Sequence, residues 1–235
     1  MVSTLGHVAS SVAGPAPALP MTGMMWWFDA DDAATITQAA GLVSAWNDKS
    51  GNGANASSSG GLQPTISSGG LKVGRNSMDF AGGTRFDITN GSANQKPLTA
   101  AAVLKHTNTV AYRAIIGGTG SGSLEWRLSN AHKQSIVKNQ VVEIGAATPV
   151  VTANVVVVLI ITYSAIGALV AYMDGTSQLS VTNDQSFNAA SALSKIGDSV
   201  GEPFTGTMGE VIKWNRVLDS TELTQVNNYL NTKWK

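Results

Sequence analysis

The 235-residue chain contains no cysteine, which excludes a disulfide framework, thiolate metal sites and a cysteine nucleophile. Charge is scarce as well: 13% of residues are charged, and 15 basic side chains face 15 acidic ones for a formal net charge of zero. Such a balance offers no long-range attraction to nucleic acid or to an anionic membrane, and neither is expected as a partner. Long apolar runs are missing. The longest, Val155 to Ile161, is far short of the roughly 20 residues of a membrane-spanning helix, and its β-branched content fits a buried strand. The first charged residue is Asp29 and the first basic one is Lys49, so the cationic start of a secretory signal is lacking and export by that route is not expected. Histidine occurs only at His7, His106 and His132; three widely separated rings call for no metal and no cofactor.

What is present is a 43% apolar chain with 25 glycines and 7 prolines, enough to bury a full core. From Met24 onward, short apolar or alternating stretches are separated by Gly, Asn, Ser and Asp clusters, the rhythm of an antiparallel β protein. Thr84 to Ile88, Thr99 to Leu104, Val150 to Tyr163, Ala168 to Met173 and Gly206 to Trp214 read as strands, and Asp174-Gly175 as a hairpin turn. One helix is expected, at the C-terminus. There Asp219 and Glu222 form a capping box, Leu218 and Leu223 a hydrophobic staple, and Leu223, Val226, Leu230 and Trp234 recur at helical spacing. The expected architecture is all-β: a two-sheet antiparallel β-sandwich over residues 23–235, with one C-terminal helix and an extended N-terminal arm over residues 1–22.

That arm is rich in Ala, Ser, Gly and Pro, with Pro15, Pro17 and Pro20 favouring extended backbone. It carries too little apolar surface to offset its own ordering entropy. Leu5, Val8, Val12 and Leu19 are therefore expected to bind a partner surface, in the manner of strand addition.

Two segments are more specific than composition. One runs Trp26-Trp-Phe-Asp-Ala-Asp-Asp32 and Gly41-Leu-Val-Ser-Ala-Trp-Asn-Asp-Lys-Ser-Gly-Asn-Gly53; the other runs Gly206-Thr-Met-Gly-Glu-Val-Ile-Lys-Trp-Asn-Arg-Val-Leu218 and on to Trp234. With Met78-Asp-Phe-Ala-Gly82, Tyr172-Met-Asp-Gly175 and Lys195-Ile-Gly197 between them, they resemble concanavalin A-like lectin/glucanase domains of the laminin-G-like kind found in bacterial surface proteins and bacteriophage structural proteins. The resemblance implies a jelly roll and leaves function open, because that fold hosts lectins, glycosidases and inert modules. Val43 and Trp46 are expected to pack inward, and Asp48 to bond backbone amides of the following turn. Of Trp27 and Phe28, a core role is expected over sugar stacking.

Three chemistries can be weighed on the residues. Gly197-Asp-Ser-Val-Gly201 matches the nucleophile elbow of α/β-hydrolases, but no helix follows it and all three histidines precede Ser199. A glycosidase needs two carboxylates across a cleft, and Glu125, Glu143, Glu202, Glu210 and Glu222, the only glutamates, show no close pairing along one strand. Asp48, Ser50 and Asn52 open like a calcium loop but lack its closing acid, with Ser59 at the twelfth position. No catalytic, cofactor or metal residue is assigned, and the chain is not expected to be an enzyme. The expectation is a virion-surface structural protein: a bacteriophage capsid-decoration protein or a head or tail appendage. Its expected partners are other virion proteins and further copies of itself, as in a trimer; the alternative is an adhesion module binding bacterial surface glycan.

Overall fold

The computed structural model describes residues 18–92, 96–107, 111–118, 122–138, 142–148, 150–187, 193–199 and 201–235. The chain opens with β1 (Met24–Asp29), β2 (Ile36–Ala39), β3 (Leu42–Trp46), β4 (Ala56–Ser57), β5 (Thr65–Ser68) and β6 (Asn76–Ala81). It continues through β7 (Phe86–Ser92), β8 (Leu98–His106), β9 (Arg113–Gly118), β10 (Leu124–Leu128), β11 (Gln134–Lys138) and β12 (Val142–Ala146). Then follow β13 (Val157–Tyr163), β14 (Ala168–Met173), β15 (Thr176–Thr182), β16 (Leu193–Ile196), β17 (Thr205–Trp214) and the helix α1 (Ser220–Trp234).

Every pairing is antiparallel. One sheet, the helix-side sheet, runs β15-β14-β13-β8-β17. The far edge of β17 divides between β6, through Thr205 to Met208, and β1, through Glu210 to Trp214, and β5 extends β6. The second sheet runs β12-β11-β10-β9-β16-β7-β4. β3 bonds to both, pairing Ala45 and Trp46 with β4 and Leu42 with β5, while β2 flanks it. The two layers are thus one hydrogen-bonded system folded into a sandwich, as the sequence pattern leads one to expect.

Period-two alternation decides which side chains enter the core. In β8, Leu98, Ala100, Ala102 and Leu104 face the space between the sheets, and Ala101 and Val103 face the other way. β13 behaves alike, with Val157, Leu159, Ile161 and Tyr163 inside and Val158 and Ile160 outside. Both faces are apolar because α1 covers the outer one, which is why these strands read as unbroken apolar runs. An aromatic chain fills one part of the inner core: Trp26, Phe28, Trp46, Phe86, Phe80 and Phe204 follow one another at centroid separations of 5.4 to 6.2 Å. Val43 and Trp46 point inward as expected.

A register shift between Met208 and Glu210 marks a bulge in β17. It turns Glu210, Ile212 and Trp214 toward the helix, leaving Met208 and Val211 inside. Gly209 is required there, since a Cβ would sit 2.8 Å from the Trp234 ring. The expected capping box is present, with Asp219 accepting from the Glu222 amide and the Glu222 carboxylate accepting from the Asp219 amide. Val226, Leu230 and Trp234 are buried against the sheet, whereas Leu223 lies half-exposed at the flank.

One strand is shorter than expected. Val150 to Val156 precede β13 without joining the ladder, because the chain turns at Asn154, whose φ is 59°. Val151 is buried there while Val155 is 51% exposed, so the valines serve a turn and an anchor, not a continuous strand.

Candidate functional site

The outer face of the helix-side sheet is covered by α1; the outer face of the second sheet carries polar chemistry. β10 reads Leu124-Glu-Trp-Arg-Leu128, and as Leu124, Trp126 and Leu128 enter the core, Glu125 and Arg127 emerge on the opposite face. On that same face Lys195 of β16 lies opposite Asp87 of β7.

The segment from Gly197 to Phe204 folds back over these strands. The Gly197 amide donates to the Ile115 carbonyl at 3.1 Å, the Ala114 amide to the Glu202 carbonyl at 2.9 Å, and the Phe204 amide to the Gly197 carbonyl at 2.8 Å. Gly117 makes the close approach feasible, since a Cβ on it would fall 2.3 Å from the Ser199 Cβ. Beneath this segment Ser199 and Glu125 are each 1% exposed.

Glu202 reaches the Arg127 guanidinium with both oxygens, at 2.6 and 2.7 Å. The guanidinium carbon lies 4.0 Å from the centre of the exposed Tyr112 ring. The Glu125 carboxyl lies 3.7 Å from Arg127, the same guanidinium that Glu202 holds, with Ser199 close by. Burial, reinforced by the Glu202 hydrogen bond and charge, pushes Glu125 up to about 9. At neutral pH it is held as the neutral acid. The row of charges continues through Asp198, 3.4 Å from Arg85 and 3.9 Å from Lys195.

Sequence reasoning missed this pair because its members stand far apart in the chain; the one local signal was the Glu-Trp-Arg alternation in β10. Both carboxyls converge on one guanidinium, Glu202 at 2.6 Å and Glu125 at 3.7 Å. As they stand, they clasp the overlying segment and store a proton.

A second polar cluster lies between β1, β17 and α1. Glu210, fully buried, accepts from the indole nitrogens of Trp27 and Trp234 at 2.7 and 2.9 Å, from the Tyr229 hydroxyl at 3.1 Å and from Lys233 at 2.7 Å. Lys49 and Lys233 meet Asp29 at 2.8 and 2.7 Å. Burial, then the nearby Asp29 charge, raises the Glu210 carboxyl. The network fastens the helix to the sheet. It also settles Trp27 and Phe28: Phe28 lies in the inner core, and the Trp27 ring is held between Glu210 and Lys49, whose Nζ stands 4.5 Å from the ring centre.

The other residues singled out in the sequence fall as follows. Leu5, Val8 and Val12 lie outside the described residues. Leu19 is corrected: it is 8% exposed, packed with Met24, Trp214 and Leu218 in the chain's own helix-side core, so its side chain is not offered to a partner. The calcium-like opening is a self-closed turn. Asp48 accepts from the amides of Trp27, Ser50 and Ala54 and from the Ser50 hydroxyl, while Asn52 turns its amide nitrogen to the Met24 carbonyl. Ser199 faces a carboxyl, not an imidazole. The histidines are less scattered than the sequence suggests, since the His106 and His132 rings lie 5.0 Å apart. Both His106 nitrogens contact backbone carbonyls, of Thr107 and Val151. Among the described residues no group of three His, Asp or Glu could hold a metal ion.

A search of curated proteins by sequence found no match. Similar solved structures include domain 4 of AbnA, a GH43 extracellular arabinanase from Geobacillus stearothermophilus, in complex with arabinotriose. It has a TM-score of 0.67 and 13% identity, over 87% of this chain and 98% of that one. Trypanosoma rangeli sialidase in complex with sialic acid matches with a TM-score of 0.62 and 13% identity over 91% of this chain. The match spans 34% of the sialidase chain, about a third of its length. Botulinum neurotoxin type C, described with two ganglioside molecules in cell entry, matches at 0.63 and 10% identity, over 89% of this chain and 52% of that one.

At such identities the likeness is one of fold. It nonetheless overturns the expectation that the chain is not an enzyme, because this sandwich occurs in glycoside hydrolases. The ground for that expectation also fails, since Glu125 and Glu202 do come together. Residues 80–224, well over half of the chain, match the model of the concanavalin A-like lectin/glucanases superfamily, and to that superfamily the chain belongs.

Proposed function

We propose that the chain is a structural protein of a virion surface, a bacteriophage capsid-decoration protein or a head or tail appendage, held by its N-terminal segment. The observation that carries this reading is the way the segment enters the sandwich. Leu19 is buried under the helix side, the Trp214 indole donates to the Pro20 carbonyl at 2.7 Å, and Arg216 Nε donates to the Thr22 carbonyl at 2.9 Å. The point at which residues 1–17, with Leu5, Val8, Val12 and their prolines, join the described chain is therefore fixed on one side of the sandwich. The polar outer face of the second sheet looks the other way, as suits attachment on one side and display on the other. Several copies, as in a trimer, would add weak arm contacts through high effective concentration.

Deleting residues 1–17 is expected to leave a folded sandwich that no longer enters particles when co-expressed with the other virion proteins. Normal incorporation of the truncated chain would overturn the reading.

A second reading, recognition of bacterial surface glycan, is supported by the ligands named for the similar structures: arabinotriose, sialic acid and gangliosides. A glycan array probed with the full chain tests it, and the two readings are compatible.

A further inference from the structure

Between the turn joining β14 to β15 and the first half of α1 runs a groove of about 400 Å³. Its more buried lining is apolar: Ile160 of β13, the half-buried ring of Tyr172 on β14, and Leu223 of the helix. Its polar lining is Asp174 and Thr176, both exposed, on the turn side and the half-buried Asn227 on the helix side. No lining residue is cationic.

The walls are fixed. Asp174 and Gly175 take φ values of 49° and 84°, the left-handed pair of a tight hairpin. The turn is pressed against the helix, since a Cβ on Gly175 would fall 2.8 Å from the Asn227 amide nitrogen. Asp174 Oδ1 accepts from the Val158 amide at 3.0 Å and from Lys235 at 2.6 Å, which sets the carboxylate in place, and the Asp174 amide donates to the Val158 carbonyl at 2.8 Å.

We infer that this groove binds a neutral pyranose or furanose unit of a glycan, its apolar face against Tyr172 and its hydroxyls toward Asp174, Thr176 and Asn227. The inference rests on the glycan-recognition reading above and supplies its site and sugar class. A sugar matches the lining on two counts. Its ring carbons present an apolar face to an aromatic ring, and its hydroxyls donate to a carboxylate and exchange hydrogen bonds with an amide and a hydroxyl. The volume falls in the range of small-molecule sites, with few polar groups around an apolar floor. The lining itself supplies no cation to hold a sialic or uronic carboxylate, since the one lysine that reaches it, Lys235, is taken up by Asp174, so a neutral sugar suits the groove better than an acidic one.

The test is a titration of the full chain, isotope-labelled for amide NMR, with maltose, lactose and arabinotriose, and separately with free sialic acid. At least one neutral saccharide is expected to shift amides of Tyr172, Thr176 and Asn227. Tyr172→Ala and Asn227→Ala are expected to weaken that binding at least tenfold while still unfolding in one cooperative transition, and Tyr172→Phe to retain it. Sialic acid is expected to leave the groove unmoved. Shifts confined to the Glu125 and Arg127 face would overturn the groove assignment while leaving glycan recognition standing. Sialic acid bound in the groove as well as the neutral sugars would overturn the sugar class. No shift anywhere would remove both the site and the glycan reading.

Discussion

A carboxyl with an ordinary pKa of 4.5 stays protonated at Glu125 because the segment over β10 keeps water away and Glu202 supplies a second negative centre. Between about pH 4.5 and 9 the folded chain therefore holds a proton that the unfolded chain has released. By linkage, the stability tied to that proton is complete below about 4.5 and lost as pH rises toward 9. Lys213 works in the opposite sense. It sits on β17 opposite Trp26 and Ala100, and burial lowers it to about 7, so its contribution improves as pH rises from there toward 10.5. The two trends are separated by comparison with Glu125→Gln, which keeps shape and hydrogen bonding but cannot ionise. Across urea midpoints from pH 5 to 9.5, the parent chain is expected to lose ground steadily against the variant. Parallel curves would mean that no proton is held at this position. Single residues were legible in the sequence where their partners are local: Asp48 bonds the amides of Ser50 and Ala54 within its own turn. Glu125 and Glu202 were illegible because only the return of a loop across three strands brings them together.

At the scale of elements, α1 was the most legible part of the chain, since a capping box and a 3.6-residue apolar period are written between Asp219 and Trp234. Its members nonetheless contribute unequally. Trp234 is fully buried against Gly209 and donates to Glu210, so Trp234→Ala opens a cavity and removes a donor from a buried carboxyl. A loss of about 3 to 5 kcal/mol in denaturant unfolding is expected. Leu223, half-exposed beside the groove, is expected to lose only about 1 kcal/mol on truncation to Ala. Equal losses at both positions would contradict the packing described. Strand ends were less legible: Val150 to Val156 are as β-prone as β13 itself, and only the turn at Asn154 separates them from the ladder. Local propensity cannot report where hydrogen-bonding partners stop.

For the whole molecule, the sandwich class followed from turn spacing and from separated words at both ends of the chain. The pairing order did not, because which strand lies beside which depends on contacts far apart in sequence. Residues 18–22 show the difference in practice: their composition reads as a continuation of the arm, while the structure ties Leu19, Pro20 and Thr22 to Trp214 and Arg216. Removal of residues 1–17 is accordingly expected to leave the melting temperature unchanged. Removal of residues 1–22 is expected to lower it by several degrees, about what a loss of 1 to 2 kcal/mol produces in a domain of this size. Indistinguishable melts would show that these contacts hold nothing. The entry point also has a mechanical side. The chain passes from Thr22 directly into β1, and β1 is zipped along β17, the strand flanked on its other edge by β8. A pull on the N-terminus along that strand would load the β1–β17 hydrogen bonds together in shear instead of opening them one by one, and would deliver the force to the middle of the sheet. A chain pulled from this end can yield only by breaking into the centre of the fold, so force applied there meets the sandwich where its strands are most fully bonded.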